Sequence, residues 1–157
     1  MSGPNGPGAP NRTLAPFAFL VGEWELEISN GSFLARKEDR LRGRAEFAWI
    51  ENGAFLVERN EFPRDQLKGV WLTGFDALTK RYTVLYYDTN FGRQDPRVYE
   101  AEMRGDVWRK WRLVEGTSQR FEGTFDRGMN EIRGHWGDSK DGVHWNHDFD
   151  LTYRKTK

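Results

Sequence analysis

The chain has 157 residues, its 24 Lys+Arg balanced by 24 Asp+Glu, and it contains no cysteine. That length suits one domain with a core of its own. Zero net charge leaves no basic excess for phosphates, which argues against a nucleic-acid partner, and the lack of Cys excludes disulfides, thiol nucleophiles and thiolate metal sites.

Residues 1–13, MSGPNGPGAPNRT, are rich in Gly, Pro and Asn and read as a disordered tail, with a single β-barrel domain expected over 14–157. No apolar leader and no run of 18 apolar residues occurs, a pattern that predicts a soluble, cytoplasmic protein without a membrane partner. LAPFAFL forms a short helical turn before VGEWELEIS, where Trp24, Leu26 and Ile28 alternate with glutamates. That period of two marks a half-buried strand.

SFLARKEDRLRG, residues 32–43, breaks the alternation and reads equally as a short lid helix or a charged edge strand. Strand-like segments then recur: RAEFAWIE, AFLVERNEF, GVWLTGFD, RYTVLYYD, RVYEAEM, DVWRKWRLV, SQRFEGTFD, NEIRGHW and VHWNHDFDLTYRK. Short turns rich in Asn, Asp and Gly separate them, which permits antiparallel neighbours but not parallel crossovers. The expected fold is all-β, an antiparallel up-and-down barrel of about eight to ten strands, closed so that no sheet edge is left bare.

FLVGEW near the start, GAFL at 53–56, LTGFDALTKRYTVLYYD at 72–88 and the closing DG..W and TYRK occur in that order. Together they resemble the DUF1579 proteins, lipocalin-like (calycin) barrels, and the resemblance implies that fold and names no reaction. The segment LTGFDALTKRY reads as a hairpin with an Asp-capped turn. A second resemblance is to nitrobindin-type haem barrels, which also open on a G-x-W strand. It implies His147, seven residues before Arg154, as a proximal haem ligand. The glycines of that family's first strand are here replaced by Leu26 and Ile28.

Seven Trp, five Tyr and eleven Phe are an unusual load for this length. Trp24, Phe47, Trp49, Trp71, Phe75, Tyr99, Trp111, Phe125, Trp145 and Phe149 fall on the assumed inward faces. They read as a dry core or as the wall of a ligand cavity. Gly43, Ala45, Gly69, Ala101, Gly123 and Gly134 share those faces and are expected to leave room.

Three polar residues stand out as candidate catalytic groups. His147 alternates with Trp145, Phe149 and Leu151. It reads as a bonded core histidine, as a pocket acid/base or as a haem ligand. Arg109 is in register with Val107 and Trp111, a charge on an apolar face that needs a ligand carboxylate or an internal acid. In YYD, Tyr86 and Asp88 share one face, so a tyrosine hydroxyl is expected in the cavity.

No G-x-S-x-G and no Gly-rich phosphate loop is present, and His144 and His147 point to opposite faces of a strand, which leaves no metal site. Three readings follow: a barrel binding one small hydrophobic or aromatic molecule, a cofactor-independent cyclase or isomerase with the same cavity, and a haem barrel. Apolar residues on both faces of several strands (Ala48 and Ile50, Val70 and Leu72, Trp108) also predict a homodimer.

Overall fold

The computed structural model describes residues 11–65, 67–89 and 96–157. The described residues form ten strands: β1 Gly22–Ser29, β2 Arg40–Ile50, β3 Phe55–Phe62, β4 Leu67–Asp76, β5 Arg81–Asp88, β6 Arg97–Arg104, β7 Val107–Arg112, β8 Ser118–Phe125, β9 Glu131–Ser139 and β10 Asn146–Lys155. Each pairs antiparallel with its chain neighbours, and β1 closes on β10 with Trp24 opposite Lys155 and Ile28 opposite Leu151. The barrel is therefore closed, as the alternation and short turns imply. No helix among the described residues is long and apolar enough to cross a membrane.

Every strand expected from the alternation is present, with shifts at the ends. Residues 32–39 form turns rather than a lid helix, and the charged stretch from Arg40 onward is the start of β2. The Asp-capped hairpin is also present: Asp76 Oδ1 accepts from the Leu78 amide at 2.9 Å between β4 and β5. Such a cap satisfies turn amides that no strand can reach.

One end of the barrel is plugged. A 3₁₀ helix over Arg12–Leu20, capped by the Asn11 side chain, buries Leu14, Phe17 and Leu20 completely or nearly so. Residues 1–10 of the expected tail lie outside the described residues, but Asn11 to Thr13 belong to this plug. The Trp24 indole N–H donates to the Leu20 carbonyl at 2.7 Å, and Lys155 Nζ donates to the Phe19 carbonyl at 2.8 Å. Phe17 meets Tyr82 edge to face at 4.8 Å. The plug thus ties the chain's first turns to β1, β5 and β10.

Above the plug, Trp24, Phe47, Trp108, Phe121 and Tyr153 form a dry aromatic layer with ring centroids 5.3–6.4 Å apart. The small residues on these faces do not leave room. A Cβ on Gly134 would lie 2.5 Å from the Phe121 ring, and one on Gly43 would lie 2.6 Å from Phe62. Their lack of side chains is what lets neighbouring rings lie flat against the wall.

Candidate functional site

The open end of the barrel, away from the 3₁₀ plug, holds a cavity of about 180 Å³. Its walls come from nine of the ten strands, all but β2. Leu26 and Ile28 of β1, Phe62 of β3, Leu67 and Trp71 of β4 and Phe149 and Leu151 of β10 supply apolar surface. Trp71 is stacked on Tyr86 at 4.0 Å and on Trp136 at 5.7 Å, and Tyr99 leans on Trp71 at 5.1 Å. A cluster of flat faces set this close forms a slot suited to a ring.

Polar groups converge on the same space. The Tyr99 hydroxyl donates to Gln119 Oε1 at 2.6 Å, and Arg97 Nη2 pairs with Asp88 Oδ2 at 3.0 Å while its guanidinium lies over the Tyr86 ring. Burial pushes the Tyr86 and Tyr99 hydroxyls above the usual phenol range, so both remain neutral donors. At the mouth, Ser32 donates through its amide and its hydroxyl to Asp148, which fastens the 30–39 turns to β10.

The floor is a buried lysine. Lys110 of β7 is 2% exposed, and its Nζ lies 3.8 Å from the Trp71 ring centre, 4.6 Å from Trp108, 5.0 Å from Phe121 and 5.4 Å from Trp136. Four ring faces hold a cation by their quadrupoles but offer it no lone pair. Burial pushes the Lys110 ammonium down to about 8, and the charge of Glu58 counters part of that shift. Glu58 of β3 is equally buried. Its Oε2 accepts from Asn60 and from the Tyr153 hydroxyl, both at 3.3 Å, and its Oε1 has no partner among the described residues. Desolvation raises the Glu58 carboxyl above its ordinary value, with Lys110 the first of the opposing influences.

The family model for proteins of unknown function, DUF1579, matches residues 7–108, which span the plug, β1 to β6 and the start of β7. The chain belongs to the DUF1579 family. Among solved chains, the DUF1579 barrel is similar to the crystal structure of Rv2717c from M. tuberculosis, with a TM-score of 0.63 and 11% identity over 94% of this chain and 99% of that one. At that identity the likeness carries the fold alone. No curated protein matches the chain.

Of the aromatic residues expected to wall a cavity in this DUF1579 barrel, Trp71, Tyr99 and Phe149 do so, together with Tyr86. Trp24, Phe47 and Phe125 are buried towards the plugged end, and Trp49 and Phe75 lie beside them, Phe75 against Tyr82. Trp111 and Trp145 are on the outer surface, where Trp111 donates to Glu100 and Trp145 is covered by Arg120.

Two of the expected polar residues are misplaced by the strand pattern. His147 does not face the interior. Its side chain is 47% exposed and Nε2 bonds Asp150 Oδ1 at 2.8 Å. A β-bulge is the cause: His147 pairs with Gly137 and Phe149 with Trp136, so Asp148 is an extra residue that reverses the facing. With His147 outside and Leu26 and Ile28 filling the wall, the residues present do not form a haem site on that histidine. We expect His147→Ala to change stability by no more than about 0.5 kcal/mol. A fall in melting temperature as large as that of a core truncation would contradict this placement.

Arg109 likewise points outward, bridging Glu122 at 2.8 Å and Glu102 at 3.1 Å. β7 presents its other face inward, with Trp108 opposite Gly123 and Lys110 opposite Phe121. Trp108 is therefore core, 4% exposed, and not part of an outer apolar wall. The residues missed were Lys110 and Glu58. Glu58 had a readable signal, since Leu56, Glu58, Asn60 and Phe62 alternate on one face.

Proposed function

We propose that this barrel binds one small single-ring aromatic molecule in the cavity at its open end. The observation that carries the reading is a cavity of about 180 Å³ walled by Trp71, Tyr86, Tyr99, Trp136 and Phe149 with a few polar groups converging on it. An apolar protein cavity of about 150 Å³ is enough to take up benzene, so this volume fits a ring with one or two substituents. Drug-sized ligands occupy pockets of roughly 300 Å³ or more and are too large for it. The stacked Trp71–Tyr86 pair offers a flat face, and the Tyr99–Gln119 bond fixes one polar edge.

Titration with phenol, toluene and benzyl alcohol, followed by isothermal titration calorimetry, tests the reading. At least one of these should bind with a dissociation constant at or below about 1 mM, about −4 kcal/mol. Leu67→Trp, which fills the mouth from β4, should weaken that binding at least tenfold while the barrel still melts cooperatively. Failure of every ring to bind, together with no small mass retained on the protein in native mass spectrometry, would sink the proposal.

A further inference from the structure

We propose that the ligand is an aromatic carboxylate whose anionic group docks on the Lys110 ammonium at the cavity floor. The inference rests on the reading of the barrel as a binder of one small ring, to which it adds a charge and a point of attachment.

The first argument is hydrogen bonding. Lys110 is 2% exposed and lines the cavity, yet no described residue accepts a hydrogen bond from its Nζ. An ammonium has three N–H donors, and Nζ is not among the fully enclosed polar atoms, so a ligand in the cavity can reach them. The ring faces of Trp71, Trp108, Phe121 and Trp136 surround it without supplying an acceptor. A ligand oxygen arriving from the cavity side accepts from Nζ.

The second argument is charge. Glu58 is the carboxyl coupled to Lys110, but no ion pair within 4.0 Å links the two. Its bonded oxygen is turned to Asn60 and Tyr153, and burial favours its neutral acid form. The other cation of the cavity, Arg97, is already closed by Asp88, and both side chains are almost fully buried. At the mouth, Asp148 is taken by Ser32. Lys110 is thus the cation among the described cavity residues that lacks a carboxylate partner. A carboxylate carried on a ring would place its flat body against Trp71 and Trp136 and its charge at the floor.

Benzoate and its neutral isostere benzamide separate this inference from the broader one. Isothermal titration at pH 7 should give benzoate at least tenfold tighter binding than benzamide, and Lys110→Met should remove the preference. Burial holds the Lys110 ammonium near 8. Benzoate stays ionised above that, so its affinity should fall as pH rises, about tenfold between pH 7 and pH 9. The cavity tyrosines Tyr86, Tyr99 and Tyr153 have raised values and stay neutral over this range. Glu58 is the remaining group whose titration matters, and the fall should persist in Glu58→Gln. If Lys110→Met alone unfolds the barrel, the Lys110→Met/Glu58→Gln pair removes both buried charges and serves in its place. Equal binding of benzoate and benzamide by the unaltered protein overturns the anionic class and leaves a binder of neutral rings. Failure of both, and of phenol, toluene and benzyl alcohol, overturns the earlier reading and this one together.

Discussion

Phe121→Ala should destabilise the barrel by about 3–5 kcal/mol, at the upper end of what a core truncation costs. Phe121 is 1% exposed and its ring packs at 5.3 Å against both Trp108 and Trp136. Collapse of the surroundings usually softens such a loss. Here the wall behind the ring is Gly123 and Gly134, which have nothing to move into the hole. For a chain of this length that corresponds to a fall in melting temperature of about 6–20 °C. The converse substitution follows from the same geometry. Gly134→Ala puts a Cβ 2.5 Å from Phe121 and 3.1 Å from the Glu122 carbonyl, an overpacking cost of about 1–3 kcal/mol. Combined with Phe121→Leu, the two changes should cost less than their separate effects added together. A Phe121→Ala protein that melts within 2 °C of the parent, a shift of under about 1 kcal/mol, would show that this layer is not packed as described.

Removing the 3₁₀ plug should have a larger effect. A chain beginning at Val21 loses Leu14, Phe17 and Leu20, all at 0–1% exposure. Burial of such side chains is worth about 1.5–3 kcal/mol each, so about 5–9 kcal/mol together as an upper bound. The Trp24 indole also loses its acceptor, the Leu20 carbonyl, and Phe47, Leu56 and Trp108 are uncovered from below. Total stabilities of single domains are about 5–15 kcal/mol, so the truncated barrel should lose its cooperative transition or retain a much lower midpoint. Urea unfolding followed by tryptophan fluorescence reads this directly. An unchanged midpoint would mean that the plug is an ornament on a barrel that stands without it.

The fold was legible where one face of a strand is charged and the other is not. Glu23, Glu25 and Glu27 against Trp24, Leu26 and Ile28 leave no choice of facing, and β1 sits as its period requires. β7 offers no such contrast. VWRKWR carries a tryptophan and a cation on each face, and only its pairing with Gly123 and Phe121 of β8 decides that Trp108 and Lys110 go inward. The candidate site was legible in its rings and not in its charges. Trp71, Tyr86 and Tyr99 follow from alternation, whereas Lys110 and Glu58 meet only once β3 and β7 face each other across a closed barrel. His147 failed for a local reason: one extra residue, Asp148, reverses the parity of β10, and no residue type in HWNHDF announces a bulge. The glycines misled because an empty Cβ position reads as open space until the neighbouring ring is placed.

The pairing of β1 with β10 also governs how the molecule is made. Contacts between strands near opposite ends of a chain are slow to form, because a long loop must close before any of them is rewarded. During synthesis β1 emerges early, and the segment it must pair with is the last of the ten to leave the ribosome. Until then the nascent sheet has two bare edges, β1 on one side and the newest strand on the other, each able to template a foreign strand. The outer face of β1 carries Glu23, Glu25 and Glu27, with Arg40 and Arg42 of β2 beside Glu27, and charged side chains on an edge strand disfavour pairing with a foreign one. The edge that such charges would guard is one that the finished barrel no longer has.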